Sequence, residues 1–510
     1  MGRVTGRHPL LDHRGALRAA GALDAEAAVV LNRPRGSGER AAPGTGQRRR
    51  GNVSSFDPKG KRIVVLGLAR SGVAAARLLA DAGASVVATD LRDADALGID
   101  EDQWSRLGIE LVLGSHPETL LDGADLLVTS PGVPSDTPLT VAARERGVEI
   151  IGELELAWRM SEARWIAITG TNGKTTTTAL TGELVGTLGR PTVVAGNIGV
   201  PVSGEVRNVP RGGFVVAEVS SFQLDTIRDF RPVVAACLNI TPDHLDRYDS
   251  MDDYAASKAR IFMNQREDDV AILNADDPRT AALADGIRSR VLYVSSAREV
   301  EHGAFVRSGT VVLRMDGRET EVTAAGDLGI TGPHNLANAL AALMSAAAVG
   351  VEAGPAAQVL RGFRPLEHRM EPVGERGGVL FVNDSKATNI ESARCALASF
   401  DRPIVLIAGG RDKGSDFTGI RDLVADRVKH LVLIGEAADA IEKALGGEAP
   451  LSRAATMQDA VERATDAADD GDVVLLSPAC ASFDMFDDFE HRGRAFKDAV
   501  RALRAERETA

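Results

Sequence analysis

The chain has 510 residues, too many for a single hydrophobic core, and at about 100–200 residues per domain it should hold about three. With 44% hydrophobic and 26% charged residues it is composed like an ordinary globular protein. Its net charge of −13 excludes general binding to nucleic acid, which needs a broad basic face, but not small phosphorylated ligands, which need only a few local donors.

Residues 1–55 hold ten arginines and four acidic residues with little strand pattern, and read as a disordered N-terminal extension. Beyond them, short β-branched runs alternate with Ala/Leu-rich helical patterns, as βαβ units and parallel sheets require. A first group, 56–158, has strands at 62–66, 85–89 and 125–129. A second, 159–362, has strands at 165–169, 214–219, 233–239, 270–274 and 291–295, then an alanine-rich helix at 335–349. A third, 363–510, has strands at 379–382, 404–408, 430–434 and 472–476. The seams fall near 158–164 and 362–369. The expected fold class is α/β, with three domains in series. Cys237, Cys395 and Cys480 show neither metal-ligand spacing nor a disulfide framework, which suits a reducing, cytoplasmic setting. No run of about 18 apolar residues suggests a membrane span.

In the first group, Gly67-Leu68-Ala69-Arg70-Ser71-Gly72 lies between a strand and a helix. It resembles a dinucleotide fingerprint with Ala69 at the middle glycine, and Asp90, followed by Arg92, stands where a ribose-binding acid would. Read alone, it fits a nicotinamide enzyme, another nucleotide or phosphate site, or merely a tight crossing.

The strongest motif opens the second group: Gly170-Thr171-Asn172-Gly173-Lys174-Thr175-Thr176, after a strand and before a helix. Backbone N–H groups and a helix N-terminus cradle phosphates there. Lys174 would neutralise them and the Thr175 hydroxyl would reach Mg²⁺. Ile168 stands where the full phosphate-loop pattern has glycine, so this is a shortened variant. The bland alternative is a glycine turn with a surface lysine. Two further strands end in polar groups, Glu218 and the Asp243-His244 segment, at the sheet edge where α/β ligands bind. Glu218 suits a hard cation. His244 is either a ligand or a structural histidine.

Together these motifs, with Gly196-Asn197-Ile198-Gly199, Gly332-Pro333-His334-Asn335 and His368-Arg369, resemble those of the Mur ligases across everything beyond the first 55 residues. The resemblance implies a Rossmann-like UDP-binding domain, a central P-loop-type ATPase domain and a Rossmann-like amino-acid-binding domain. It implies ATP and two Mg²⁺ ions, with activation of a UDP-muramoyl carboxylate as an acyl phosphate, then a tetrahedral intermediate. It assigns Gly67, Ser71, Asp90, Arg92, Ser130 and Asn197 to the UDP-substrate, and Asn335, Arg369 and Asp384 to adenine, phosphate and ribose. Glu218, His244, Thr175 and Lys258 fall to metal, Lys258 as a CO₂-derived carbamate.

The motifs Asp384-Ser385-Lys386-Ala387-Thr388-Asn389 and Ser477-Pro478-Ala479-Cys480-Ala481-Ser482 resemble those of the family's D-glutamate-adding member, so that Lys386, Thr388, Lys413, Ser482 and Phe489 would contact D-glutamate. A monomer is expected. A folylpolyglutamate synthetase-type ligase shares the phosphate loop but lacks such a first domain. A nicotinamide oxidoreductase would leave Lys174 unexplained.

Overall fold

The computed structural model describes residues 56–508 apart from 198, 245, 246 and 413, so the arginine-rich extension and Lys413 lie outside the described residues. Apolar β-branched runs collect into three sheets. The first comprises β1 (Arg62–Leu66), β2 (Ser85–Asp90), β3 (Ile109–Leu113), β4 (Leu126–Thr129) and β5 (Glu149–Gly152), all parallel, in the order β3-β2-β1-β4-β5. Neighbours reverse sides at β1, so the turn after β1 sits at a topological switch point, where α/β sheets bind ligands.

The second sheet comprises β6 (Arg164–Thr169), β7 (Thr192–Gly196), β8 (Phe214–Glu218), β9 (Val234–Cys237), β10 (Val270–Asn274), β11 (Arg290–Ser295), β12 (Gly303–Arg307), β13 (Thr310–Met315) and β14 (Arg318–Ala324). Its order is β14-β13-β12-β11-β10-β9-β6-β8-β7. The strands from β6 to β12 are parallel, and β13 and β14 add an antiparallel meander. Because β6 lies between β8 and β9, the loop after β6 emerges between the ends of both. The helices Lys174–Gly186 and Pro333–Ala347 cover one face, burying Leu180, Leu184, Leu340 and Met344 with Ile166 and Val216.

The third sheet, β15 (Glu371–Arg376), β16 (Val379–Asn383), β17 (Ile404–Gly409), β18 (Val428–Ile434), β19 (Leu451–Arg453) and β20 (Val473–Leu476), runs β15-β16-β20-β17-β18-β19 and is parallel except for β15. Every strand expected from the sequence is present within a residue or two. The sequence reading missed β3, β5, β7, β12 to β15 and β19. They lie toward sheet edges or in antiparallel hairpins, and several are too charged for an apolar run, as Arg318-Glu319-Thr320-Glu321 shows.

Two joints differ in kind. At the first, Glu155 is fully buried on the helix Glu153–Arg159. Its carboxylate accepts from the backbone N–H groups of Arg228 (2.9 Å), Asp229 (3.0 Å) and Phe230 (2.9 Å), and from Arg159 Nε (2.8 Å). At the second, His368 (φ +62°) and Met370 (φ +44°) flank Arg369 in left-handed backbone. Such conformations each cost about 1–3 kcal/mol outside glycine. Lys497 steadies this segment through Glu367 (2.6 Å) and Glu371 (2.8 Å). Among the described residues no helix is long and apolar enough to cross a membrane.

Candidate active site

The phosphate-loop candidate is held by its neighbour across the sheet. Thr171 N–H donates to Asn239 O (2.9 Å), Asn172 N–H to Asn239 Oδ1 (2.8 Å), and Asn239 Nδ2 returns a bond to Asn172 O (3.1 Å). Gly173 has φ +82°, which strains any other residue, and a Cβ there would stand 2.1 Å from Asn338 Oδ1 and have to displace that side chain. Lys174 Nζ donates to Gly170 O (2.9 Å) and Thr171 O (2.7 Å). Thr175 Oγ1 accepts from Arg369 Nη2 at 2.6 Å, a contact between the second and third sheets' territories. Thr176 is buried at the start of the helix.

Glu218 is buried at the end of β8. Its Oε1 accepts from Asn197 Nδ2 (2.7 Å), and Oε2 has no partner among the described residues. Burial alone would raise its carboxyl, but Lys386, Lys174, Asn197 and Arg369 outweigh that and hold it below the usual range. The same crowding acts on the cations. Burial, chiefly, lowers Lys174 and Arg369 and brings Lys386 down to about 8. Lys386, Lys174 and Arg369 gather on Glu218, with Asp243 also acting on Lys174 and Asp384 on Arg369, and this cluster of buried cations suits a polyphosphate. The orphaned Glu218 oxygen is what a hard divalent cation needs.

Lys258 is buried on the helix Met251–Ala259. Its Nζ donates to Gly170 O at 2.9 Å and lies 4.5 Å from the Tyr254 ring centroid. Burial, then the neighbouring Lys174 charge, lowers its ammonium to about 7. His244 (φ +55°) packs edge-on to Phe222, with ring centroids 4.8 Å apart, and its Nε2 is 3.7 Å from Asp243 Oδ2.

A cavity of about 330 Å³ opens beside the loop, a size suited to a small ligand. Asn172, Gly173 and Thr176 line it with Asn335, Arg369 and Asp384. Asn335 Nδ2 donates to Thr331 O (2.8 Å). Asp384 accepts from Met370 N–H (3.2 Å) and Ser477 Oγ (3.1 Å), and burial pushes its carboxyl up to about 7.

On the third sheet, Lys386 Nζ lies 4.8 Å from the Phe489 ring centroid, and Thr388 N–H donates to Lys386 O (2.9 Å). Ser482 is buried in the facing loop. The sequence reading missed Arg492, which is fully buried. It donates to Ser385 O (2.7 Å), Ser385 Oγ (3.0 Å), Cys480 O (3.1 Å) and Ala481 O (3.3 Å), tying the two loops together. Lone arginines on a charged terminal helix carry no sequence signal for this.

A second cleft lies between the first two sheets. Gly67, Ser71, Asp90, Arg92 and Ser130 line it from one side, Gly196 and Asn197 from the other. Ser130 Oγ donates to Gly67 O (2.7 Å), and Asp90 accepts from Leu68 N–H (2.7 Å) and Arg92 Nε (3.0 Å). Gly72 is obligatory, since a Cβ there would stand 1.8 Å from Gly67 O. Asn197 thus touches both this cleft and Glu218.

Three family models match the chain in series: "Mur ligase MurD-like, N-terminal domain" over residues 61–152, "Mur ligase middle domain" over 168–346 and "Mur ligase, glutamate ligase domain" over 368–480. Proteins named UDP-N-acetylmuramoylalanine--D-glutamate ligase are similar along nearly their whole length. The one from Pelotomaculum thermopropionicum is 46% identical over 446 residues, 87% of this chain and 98% of that protein. The one from Geobacter metallireducens is 48% identical over 444 residues, 87% and 98%. A solved pseudomurein peptide ligase type C from Methanothermus fervidus shares the fold, with TM-score 0.57 at 19% identity, covering 87% of this chain and all of that one. With matches over all three sheets and nearly half of the residues identical to such relatives, the chain belongs to the Mur ligase family.

Proposed function

We infer that this chain is an ATP-dependent ligase of peptidoglycan synthesis that joins D-glutamate to UDP-N-acetylmuramoyl-L-alanine. The observation that carries this reading is the identity of 44–48% to ligases of that name along 97–99% of their length. The site chemistry agrees with it. A free carboxylate acylates poorly, and ATP supplies the phosphoryl group that converts it into an acyl phosphate open to attack by an amine.

The chain's own residues position and neutralise, which is most of what phosphoryl transfer asks of a protein. The 170–173 backbone, Lys174 and Arg369 would hold the polyphosphate, with Asn335 at adenine and Asp384 at ribose. Glu218, Thr175, His244 and a carbamylated Lys258 would hold magnesium, two ions in this proposal. Gly67, Ser71, Asp90, Arg92 and Ser130 would bind the UDP end, and Asn197 would sit near the transferred phosphoryl group. Lys386, Thr388, Ser482 and Phe489, with Lys413, would hold D-glutamate, the lysine and hydroxyls as charge-assisted donors. A cytoplasmic location and a monomeric state complete the proposal.

The test is phosphate release from ATP with a panel of amino acids and defined UDP-muramoyl acceptors. Release is expected only with UDP-N-acetylmuramoyl-L-alanine and D-glutamate together. Preference for another pair would overturn the assignment.

A further inference from the structure

The chain touches its own phosphate loop from a distance of over 200 residues. Asn172 Oδ1 accepts from Ser392 Oγ at 2.9 Å and from Asn389 Nδ2 at 3.3 Å. Asn389 Nδ2 also reaches Asp243 Oδ2 at 3.1 Å, in the segment after β9. Asn389 and Ser392 belong to the N-terminus of the helix Ile390–Leu397, where Asn389 Oδ1 caps Ser392 N–H at 2.8 Å. That cap leaves the Asn389 amide group only one way to face. Its NH₂ must point outward, at Asn172 and Asp243.

Two donors converging on one oxygen also settle the orientation of Asn172. Its Oδ1 faces the helix, and its Nδ2 is left buried without a partner among the described residues. The backbone of Asn172 is meanwhile fixed from the other side by Asn239. One loop residue is therefore read on both sides: by the sheet that carries the loop and by the helix that follows the Asp384–Asn389 turn. That turn carries Lys386, and the helix lines the nucleotide cavity through Glu391, Ser392 and Cys395.

We propose that Asn389 and Ser392 form a polar latch on Asn172 that couples docking of the C-terminal body to occupancy of the phosphate loop. The latch deepens the ligase reading and rests on it for the identity of the nucleotide. The coupling is reciprocal: a nucleotide that orders the loop favours docking, and docking raises affinity for the nucleotide by the same factor. In consequence, engagement of the phosphate loop favours arrival of the turn bearing Lys386 at the site. The amino acid is then presented to an acceptor that can be activated. Asn389 and Ser392 act through Asn172 and are positioning residues.

The experiment compares the full-length wild type with Ser392→Ala, Ser392→Thr, Asn389→Asp and Asn172→Ala. Asn389→Asp keeps the helix cap but replaces the outward donor by an acceptor facing Asp243, so it opens the latch without removing the cap. The readouts are the KM for ATP and for the UDP acceptor, the radius of gyration with and without a non-hydrolysable ATP analogue, and analogue affinity by calorimetry. Ser392→Ala and Asn389→Asp are expected to raise the ATP KM about 5- to 30-fold, the worth of one or two hydrogen bonds. They should also weaken analogue-induced compaction and leave the acceptor KM within about twofold. Ser392→Thr retains the hydroxyl and should restore both. Adding Asn172→Ala to Ser392→Ala should cost little more than either alone, because both remove the same contact. A merely structural role at the helix start would lower the melting temperature and leave the ATP-to-acceptor split unmoved. Wild-type ATP KM and compaction in both latch-opening variants would overturn the latch. A wild type that turns over no UDP-muramoyl acceptor would overturn the ligase reading instead. Analogue affinity, measured without turnover, would still decide the latch.

Discussion

Lys258 offers a test in which charge alone is the variable. Its Nζ and that of Lys174 both lie 2.9 Å from the carbonyl oxygen of Gly170. Two ammonium groups sharing one acceptor stand at most about 6 Å apart, which is roughly 3 kcal/mol of repulsion at an effective dielectric of about 20. Among the described residues no carboxylate pairs with Lys258, although its side chain is only 1% exposed. A carbamate reverses the sign of that charge and turns repulsion into attraction of similar size. It also adds oxygen ligands of the kind magnesium prefers. The lowered ammonium, at about 7, favours the modification, because only the neutral amine reacts with CO₂.

The variants are Lys258→Ala, Lys258→Glu and Lys258→Arg, each checked for a cooperative melt. Removing the group also removes its desolvation cost, so the alanine variant should fold normally. In steady-state phosphate release, the alanine and arginine variants should lose about 10²- to 10³-fold in kcat, the usual cost of deleting one well-placed electrostatic group. The glutamate variant should exceed arginine by tenfold or more, a difference of about 1.4 kcal/mol at least. Acetate should restore part of the alanine variant's activity. An arginine variant more active than the glutamate one would refute the reasoning, since the site would then require a positive charge.

Other outcomes follow from the same geometry. D-glutamate should be joined in preference to L-glutamate and D-aspartate, because fixed donors left unpaired by a shorter or inverted dicarboxylate are costly, and equal turnover of the L-isomer would refute it. Lys174→Ala should abolish phosphate release yet leave affinity for the UDP acceptor nearly intact by calorimetry. A large loss there would mean that the cleft at Gly67 and Asp90 is not the main acceptor site. Asp384 has an ordinary value of 3.8 and about 7 when folded, so between those values the folded chain binds a proton that the unfolded chain does not. Stability from this group therefore falls as pH rises from about 4 to 7. Melting curves of wild type and Asp384→Asn from pH 5 to 8 should diverge in favour of asparagine as pH rises. A constant difference would contradict the shift.

What was legible in the sequence was local. The strand before Gly170, the glycine at 173 and the lysine after it announce a phosphate-loop turn, because strand, turn and helix each leave their own signal within ten residues. The buried parallel strands β6, β8, β9, β10, β17 and β20 are nearly continuous apolar runs and were equally plain. Edge and hairpin strands were not. β15, Glu371-Pro372-Val373-Gly374-Glu375-Arg376, contains a proline, a glycine and three charges, and is a strand only because β16 supplies its partner. Within the site, partners distant in sequence were invisible. Nothing near Thr175 indicates that Arg369 will donate to it, and nothing near Asn172 points to Ser392. Arg492 reads as one of five arginines on a solvated terminal helix until the fold wraps two loops around it.

The two joints divide the chain unequally. At the first, the Glu155 carboxylate is saturated by three backbone N–H groups and Arg159, all inside the protein. Separating the first sheet from the second would strand a buried anion and three unmatched donors. Across the second, the bonds are between side chains, Arg369 to Thr175 and Asn389 and Ser392 to Asn172 and Asp243, and the linking backbone is already displaced from its preferred basin. A protein engineer dividing this chain would therefore cut near residue 363 rather than near 158. The fragment 56–362 is expected to melt as one cooperative unit, with the C-terminal fragment as the module to exchange.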